Sequence, residues 1–404
     1  DDKVLKVRGS HANPLTNGVI CNKISRGYPE FVHGPNRLTT PLKRIGAKGE
    51  GKFEAISWDD ALDIVAERFT AVINEYGAEA VVPLNYAGPH GKISGGSMDF
   101  RMFNKMGATQ LDRGPLCAGV RGGAYASLYG GMPGNPLEQA AHSKLIVVWG
   151  NNVTVSNLHL SSIIAQAKRN GAKLVVIDPK RIKIAEQADL HLAITPGSDV
   201  MLAMAVAAEL ERRGGIDKAF ADRWVHGFDD YMAKAREISI EQAADVCGLK
   251  AEDILTFVTM YHEISPAIMS IANGMERSRN GGGSIRSAAV LPALAGKFGV
   301  LGGGLIMKAG NAFPETGARL QQSSLIPDGT RTFNIIDVAD HILDDALDPP
   351  VKALFIYNHN PVAVHPNQNH MKKALLRDDM FIVGCDIEMT DSMAYADIIL
   401  PASS

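Results

Sequence analysis

The chain has 404 residues, of which 46% are hydrophobic and 21% charged, and its formal net charge is −3. This composition is ordinary for a soluble globular protein, the length predicts two or three domains, and the near-neutral balance gives no reason to expect nucleic acid or an acidic membrane as partner. The four cysteines lie far apart without a CxxC pair, which argues against a zinc ribbon and a disulfide framework. We find no apolar run of membrane-spanning length and no visible signal peptide.

The apolar patterning predicts strands and helices that alternate along most of the chain. Residues 1–45 are predicted to form a short strand and then a turn-rich segment without a helical period. A helix follows Ser57, a suitable N-cap, and stops at Gly77. In chain order, strands are predicted within 80–86, 143–152, 173–179, 188–199, 267–274, 351–360, 380–388 and 396–402, and helices within 57–77, 98–107, 122–130, 157–171, 201–215, 216–265, 285–299 and 370–376. The long loop-rich stretch 301–329 is of the kind that is usually functional.

A candidate reactive thiol lies in the stretch 111–131. Cys117 occupies a glycine-dense loop, and glycine lets the backbone approach a bulky ligand closely. The neighbouring Asp112, Arg113 and Arg121 are candidate polar groups around it, and arginine beside a thiol favours the thiolate, the form that binds metal or attacks. A buried, inert cysteine in a tight loop is the alternative. His90, in a GPHG loop, is a candidate proton shuttle or a plain loop residue.

Two segments of the chain repeat one another by spacing. In the first copy, one strand ends at Gly150, the next ends at Asp178, and Asp189 opens a third. In the second copy the same places are taken by Asn358, Asp386 and Asp397, with identical intervals of 28 and 11 residues, since 178 − 150 = 386 − 358 and 189 − 178 = 397 − 386. Equivalent asparagines, Asn152 and Asn360, follow the first strand of each copy.

A strand–helix–strand unit with an acid some 20 or more residues beyond the first turn is typical of nucleotide binding, with phosphate at a helix N-terminus and a carboxylate on ribose or base. Neither copy has GxGxxG, but asparagine adopts left-handed turns and supplies amide donors. Any doubly wound fold repeats such units, so strand and helix lengths alone are the other explanation. Two units imply one dinucleotide across a crevice or two pseudo-symmetric nucleotide sites.

These features predict an α/β fold of two doubly wound, mostly parallel-sheet, Rossmann-like domains related by pseudo-two-fold symmetry, plus a small N-terminal strand and loop segment. We expect the first α/β domain to be discontinuous, comprising residues 46–115 and 266–404, and the second, residues 116–265, to be inserted in it.

The sequence resembles the molybdopterin oxidoreductases of the dimethyl-sulfoxide-reductase family, which bind a molybdenum or tungsten centre held by bis-molybdopterin guanine dinucleotide. The resemblance covers nearly the whole length in family order. The matching stretches are GVICNK, NRLTTPLKRIGAKGEGKFEAISWDDAL, LCAGVRGGAY, LIVVWGNN, LVVIDPKRIKIAEQADLHLAITPGSDVML, NGGGSIRSAAVLPALAGKFGVLGGG, YNHNPVAVHPN and DSMAYADIILPA.

The resemblance implies roles for individual residues. Cys117 takes the place of the protein ligand to molybdenum or tungsten, and a soft thiolate suits such an ion. Arg121 and His90 are the further catalytic candidates. One guanine dinucleotide would be bound by Gly150, Asn151, Asn152, Asp178, Pro179, Arg181, Pro196, Gly197 and Asp199, and the other would be lined by Asn280, Asn358, Asn360, Pro361, Asp386 and Asp397, with Gly274 as a further cofactor contact. Arg121, Lys180 and Arg181 are candidates for the pyrophosphate. A structural cap is the alternative role for Asp189 and Asp397.

The chain departs from the family pattern in three places. Family members with an iron–sulfur domain have four cysteines, of which only the last, Cys21, is present, so residues 1–45 are interpreted as the remnant of such a domain and a [4Fe–4S] cluster is expected only in a full-length form. The family continues beyond ADIILPA, so we expect a piece truncated at both ends. Ala118 stands where formate dehydrogenases have histidine, which weakens a formate interpretation.

The sequence therefore predicts a molybdenum- or tungsten-dependent oxidoreductase that acts by oxygen-atom or hydride transfer on an unknown small substrate, with an electron-transfer subunit as partner. The alternatives are a pterin-free structural subunit of an electron-transfer complex and a plain nucleotide-dependent dehydrogenase, which the missing GxGxxG disfavours. We expect no membrane insertion by this chain. A cytoplasmic location is favoured, and a periplasmic one would need an upstream twin-arginine signal.

Overall fold

A computed structural model describes residues 2–88, 95–132, 134–307 and 316–403. The helices are α1 (Asn22–His33), α2 (Trp58–Tyr76), α3 (Met98–Met106), α4 (Gly119–Tyr129), α5 (Val153–Ser156), α6 (Leu158–Arg169), α7 (Asp199–Arg212), α8 (Lys218–Trp224), α9 (Phe228–Ala235), α10 (Ile240–Cys247), α11 (Ala251–Glu263), α12 (Gly281–Ala289), α13 (Leu291–Leu294), α14 (Gly317–Gln321), α15 (Val338–Leu343), α16 (Pro361–Val364) and α17 (Gln368–Leu375). The strands are β1 (Leu42–Arg44), β2 (Phe53–Ala55), β3 (Val81–Asn85), β4 (Gln110–Asp112), β5 (Leu145–Trp149), β6 (Lys173–Ile177), β7 (Leu190–Leu192), β8 (Ala267–Ile271), β9 (Gly304–Ile306), β10 (Thr332–Asn334), β11 (Ala353–Tyr357), β12 (Phe381–Asp386) and β13 (Ile398–Pro401).

The chain divides into two α/β units. The first unit comprises Asp1–Val7, Asn22–Leu116 and Glu315–Ser404, and the second comprises Arg8–Cys21 and Cys117–Pro314. The α/β class with parallel sheets that the sequence predicts is confirmed. Within the described residues, none of the helices combines the length and the apolarity that a membrane crossing requires.

The second unit is built on a five-stranded sheet in the order β7-β6-β5-β8-β9, in which every neighbouring pair is parallel. Alternate side chains of β5 enter different cores, with Val147 and Trp149 on one face of the sheet and Ile146 and Val148 on the other. Burial on both faces explains why β5 is a continuous apolar run. Because β8 pairs with β5, residues 266–314 belong to this unit. The chain therefore returns to the first unit at residue 315, and not at residue 266 as we expected.

The first unit contains a six-stranded sheet in the order β2-β1-β13-β12-β11-β3. The pairs from β3 to β13 are parallel, whereas β1 pairs antiparallel with both β13 and β2. Because β1 is an integral strand of this sheet, residues 1–45 do not form the separate N-terminal segment that we expected. A further two-stranded parallel pair joins β10 to β4.

Residues 1–45 differ from the prediction in secondary structure too. The expected strand near the N-terminus is absent from residues 4–9, where the Val4 N–H donates to His33 Nε2 instead of to a sheet partner. Helix α1 forms where we expected no helical period, and it tolerates Pro29. Tyr28 and Phe31 lie three residues apart on this helix and stack with ring centroids 5.8 Å apart. Residues at this spacing are neighbours on a helix, but the search for a helical period of apolar residues did not register the pair.

The internal repeat is present in the structure as two parallel three-strand segments, β5-β6-β7 and β11-β12-β13. In the first, Asp189 Oδ2 accepts a hydrogen bond from the Leu174 N–H at 2.9 Å and pairs with Lys168 and Lys173. In the second, Asp397 Oδ2 accepts from the Ile382 N–H at 2.8 Å and pairs with Arg44 and Lys48. Each carboxylate joins the second strand to the start of the third, which favours the structural alternative over cofactor binding for both.

Replacing Asp189 by asparagine is expected to lower the free energy of unfolding by about 1–2 kcal/mol at pH 7. Burial opposes ionisation, but the hydrogen bonds from Lys173, the Leu174 N–H and Lys168 lower the pKa of Asp189 to about 2. Because this pKa is below the ordinary value of 3.8, the stabilisation is complete above pH 3.8 and is lost as the pH falls towards 2. Urea unfolding at several pH values measures the loss, and a variant as stable as wild type at pH 7 contradicts the assignment.

Candidate functional site

A cleft of about 570 Å³ opens in the second unit at the carboxyl ends of four neighbouring strands. Its lining comes from Gly150–Asn152 after β5, Asp178 after β6, Ala272–Gly274 after β8 and Met307 after β9, together with Arg121, Asn135, Pro136, Leu137, Ser156, Asn157, Ser270, Ile271 and Ile306. Ligands of open parallel sheets bind at this edge, outside the carboxyl ends of the strands. The cleft therefore lies where the first copy of the repeat predicts a nucleotide.

Two glycines let adjacent strand ends meet at the cleft. Gly150 has φ +60°, and the Gly274 N–H donates to the Gly150 carbonyl oxygen at 3.0 Å. A Cβ built on Gly274 would stand 2.7 Å from that oxygen and 2.9 Å from the Gly150 Cα. Glycine at both places is thus required by a close approach between backbones that leaves no room for a side chain.

Asparagines shape the turn that follows β5. Asn151 is 4% exposed, and its Nδ2 donates to Ser270 Oγ on β8 at 2.8 Å, which ties the turn to the neighbouring strand. Asn152 is the N-cap residue of α5, and its Oδ1 accepts from Thr154 Oγ1 at 3.0 Å. Asn360 holds the same N-cap position before α16 in the first unit, and Asn358 has φ +53° where Gly150 has φ +60°. The asparagine-for-glycine replacement predicted from the repeat is confirmed at this turn.

The thiol of Cys117 is half-buried and contacts the turn after β8. Asn273, which lines the cleft, directs its Nδ2 towards Cys117 Sγ at 3.8 Å. Cys117 precedes helix α4, and Arg121 in its first turn lines the cleft as well. The Arg121 Nη1 donates to the Ile271 carbonyl at 3.4 Å, while its Nε is buried without a hydrogen-bond partner. The thiol is therefore not fully buried, as the alternative of a buried cysteine in a tight loop would require.

Several predicted cofactor residues of the second unit lie away from the cleft. Pro179, Arg181, Pro196 and Gly197 occupy loops outside its lining. Asn280, at the N-cap position of α12 but without a side-chain capping bond, lines a separate hollow with Arg286. Asp199 is 6% exposed and its Oδ1 accepts from Trp149 Nε1 at 2.8 Å, so it has a core contact, and its cofactor role stays a prediction. Asp178 does line the cleft, and its Oδ1 accepts from the Lys180 N–H at 2.9 Å.

Replacing Asp199 by alanine is expected to lower the free energy of unfolding by about 1–3 kcal/mol, because the buried Trp149 N–H loses its acceptor. Asparagine keeps an acceptor oxygen at that place. Since burial raises the pKa of Asp199, the neutral amide is expected to cost less than the alanine variant. Urea unfolding followed by circular dichroism compares the two, and an alanine variant as stable as wild type rules out the core role.

The remaining predicted residues lie in the first unit. The Asn358 turn is packed closely, since a Cβ on Gly88 would stand 2.7 Å from the Asn358 carbonyl oxygen. Burial raises the pKa of Asp386, whose Oδ1 accepts from the Ile387 N–H. Asn360 Oδ1 accepts from Ser392 Oγ at 2.6 Å, and Pro361 begins α16.

Other candidates from the Cys117 stretch have local partners. Asp112 Oδ1 accepts from the Gly114 N–H, and Arg113 donates to Asn85 Oδ1 at 2.7 Å. Cys21 is a half-buried free thiol. His90 lies outside the described residues.

Sequence reasoning missed Asn273 and Glu276, which follow β8 on either side of Gly274. Glu276 is 6% exposed and its Oε2 accepts from the Arg121 N–H at 2.7 Å. The signal for both was an Asn-Gly pair at the end of a buried strand, the same sign that marked the other turns.

The polar atoms beside the cleft suit a polar ligand. Arg121 Nε and Glu276 Oε1 are buried without a partner, and unpaired buried groups of this kind call for an explanation such as a ligand or an ion. No cluster of three or more His, Cys, Asp or Glu side chains that could hold a metal by themselves is found in the described parts of the chain. A cysteine beside a roomy cleft fits an ion that brings most of its ligands with it.

A parallel α/β sheet whose strand ends form a roomy cleft beside a cysteine defines a cofactor-binding class of protein. A sequence model of the molybdopterin oxidoreductases matches residues 37–404, so the chain belongs to that family. The resemblance to its dimethyl-sulfoxide-reductase branch is confirmed by the relatives. The family name implies a molybdenum or tungsten pterin cofactor.

Similar proteins span the whole described fold. The probable oxidoreductase YoaE of Bacillus subtilis (strain 168) is 37% identical over 405 residues, covering 100% of this chain and 59% of that protein. Dimethyl sulfoxide reductase DmsA of Escherichia coli (strain K12) is 29% identical over 422 residues, covering 93% of this chain and 52% of that protein. The structure of acetylene hydratase from Pelobacter acetylenicus matches with a TM-score of 0.82 at 24% identity, over 99% of this chain and 59% of that one, which shows the shared fold. The chain thus spans less than two thirds of the length of these relatives.

Proposed function

We propose that the protein is a molybdenum- or tungsten-dependent oxidoreductase that binds its metal through bis-molybdopterin guanine dinucleotide. The observation that carries the proposal is the cleft at the carboxyl ends of β5, β6 and β8 with Cys117 Sγ beside its lining residue Asn273. The fold shared with acetylene hydratase does not by itself indicate the reaction, since one fold can host many functions. Family membership and the chemistry of the cleft together support the proposal.

In this proposal, Cys117 is the protein ligand of the metal, and the strand-end turns hold one guanine dinucleotide. Gly150 and Gly274 allow the backbone to approach it, and the Asp178 carboxylate, which lines the cleft, supplies an acceptor for base or ribose N–H and O–H groups. Arg121 directs positive charge to the cleft, which suits a pyrophosphate. Asn358, Asn360 and Asp386 serve the second dinucleotide from the first unit.

The bound metal would supply two-electron redox chemistry with oxygen-atom or hydride transfer. The residues of this chain bind and orient it. The buried Asn151 amide fixes the turn after β5, and Arg121 with the apolar Ile271 and Met307 bounds the space where water would otherwise enter. Cys21 is the fourth ligand of a [4Fe–4S] cluster where the full-length protein supplies three others, and an electron-transfer subunit is the partner that such a cluster would serve.

The test is elemental and cofactor analysis of the full-length protein. We expect molybdenum or tungsten, a fluorescent oxidised pterin, and twice as much guanine nucleotide as metal after acid hydrolysis. The absence of both metal and pterin from the wild-type protein would overturn the proposal. Equal amounts of guanine nucleotide and metal would overturn the bis form of the cofactor. Because DmsA is named as a sulfoxide reductase, dimethyl sulfoxide with a reduced viologen dye is the first substrate assay, called the viologen assay below.

A further inference from the structure

The helix that follows Cys117 lacks a cap of its own. The N-cap residue of α4 is Ala118, whose methyl group makes no capping hydrogen bond. The first N–H groups of a helix have no partner within it, and a side-chain oxygen at the N-cap normally accepts from one of them. In α4 this acceptor comes from elsewhere in the chain, because the Arg121 N–H donates to Glu276 Oε2 at 2.7 Å.

Glu276 is placed for this contact by the strand end that forms the cleft. It lies in the short 3-10 turn Met275–Arg277, directly after Gly274, and its side chain is almost completely buried. Asn273 lies three residues before Glu276, in the same segment after β8, and directs its amide at Cys117 Sγ. One turn therefore contacts both the thiol and the helix that carries it.

The Glu276 carboxyl group is buried beside other polar atoms. Burial raises the pKa of Glu276, against the opposing effects of the Arg121 N–H and the charges of Arg121 and Arg277. Its second oxygen, Oε1, has no partner, and the nearby Arg121 Nε and Tyr125 hydroxyl are buried and unpartnered too. The contact with the helix needs only one acceptor oxygen, which either an acid or an amide side chain can supply.

We propose that Glu276 is the positioning residue for Cys117: its carboxyl oxygen caps helix α4 from the turn after β8 and so holds the thiol beside the cleft. The interpretation of Cys117 as a metal ligand rests on the proposed function, whereas the capping contact does not. Glu276 acts through the helix and does not itself touch the reacting atoms.

The proposal predicts different results for two substitutions of Glu276. Glutamine keeps one acceptor oxygen for the Arg121 N–H, whereas alanine leaves that N–H without an acceptor. In E276A, opening of the first turn of α4 is expected to be about tenfold more frequent, the usual effect of losing an N-cap. In E276Q the change is expected to be within about twofold, since the hydrogen bond is kept.

The experiment uses the full-length protein from cells depleted of molybdate and tungstate, so that the thiol is free. Peptide-resolved mass spectrometry follows hydrogen exchange in residues 119–124 and the rate at which iodoacetamide alkylates Cys117. The matched control is E209A, because Glu209 is equally buried in the same unit but pairs with Arg212 and Arg213 on α7. E209A is expected to leave both rates unchanged while it lowers overall stability.

Faster exchange and alkylation in E276A with wild-type behaviour in E276Q would support the proposal. Wild-type rates in E276A, or equal acceleration in E276Q, would overturn it. If E276A does not fold, E276D provides the same test, because its shorter side chain keeps the acid but withdraws the oxygen from the Arg121 N–H. The exchange and alkylation rates do not depend on the cofactor. A wild-type protein without metal or pterin would therefore overturn the proposed function but not the capping role of Glu276.

Discussion

Alanine in place of Cys117 is expected to lower the metal retained by the full-length protein, and its turnover in the viologen assay, by at least about tenfold to a hundredfold. Losses of that size follow from disturbing residues that merely support a metal ligand, and removing the ligand itself should cost no less. Cys117 is the thiol that the structure places against a cleft-lining residue, with Sγ 3.8 Å from Asn273 Nδ2. Metal per chain is measured by elemental analysis after gel filtration.

The matched control for this variant is Cys385→Ala. Cys385 is also a half-buried free thiol, but it lies within β12, where it pairs with Tyr357 of β11. This substitution should change metal content by less than about twofold, since it removes only a small packed side chain. Equal metal retention in C117A and wild type would show that Cys117 is not a ligand.

The second large effect is expected for Gly274→Ala, which should destabilise the protein by about 1–3 kcal/mol and also weaken cofactor retention. The φ of Gly274 is −55°, which alanine adopts readily, so the cost is purely steric. The new Cβ would stand 2.7 Å from the Gly150 carbonyl oxygen, a backbone atom that cannot turn aside. The ends of β5 and β8 must then separate, and the cleft edge moves with them. Thermal unfolding and metal content measure the two consequences.

Gly123→Ala is the control for the glycine substitution. Gly123 lies within α4 of the same unit, and nothing stands within 4 Å of the position that a Cβ would take. Alanine there is expected to be neutral or to stabilise the helix by about 0.5–1 kcal/mol. A Gly274→Ala variant that unfolds at the same temperature as Gly123→Ala would disprove the close backbone approach.

Much of the fold was predictable because strand character is a local property of the chain. The apolar run around Val147 predicted a strand of the buried parallel type and the run around Ile356 predicted a strand, and both are strands of parallel sheets. The repeat of Asn and Asp residues at strand ends predicted which turns would lie at the carboxyl edge of a sheet. The boundary at residue 266 failed, because a strand carries no local mark of the sheet that it will join.

The order of apolar runs and the spacing of strand-ending residues predicted two parallel α/β units, and the family resemblance implied that the Cys117 thiol lies near strand-end turns. The roles of the acidic residues were settled by packing between distant segments. Asp178 and Asp199 both follow a predicted strand, yet Asp178 lines the cleft while Asp199 accepts a hydrogen bond from Trp149, 50 residues away. The Asn-Gly pair marked the turn that carries Glu276, but nothing local marked the partner of its side chain, which is the N–H of Arg121, 155 residues away. Contacts across such separations depend on how helices and strands pack, which composition and periodicity do not encode.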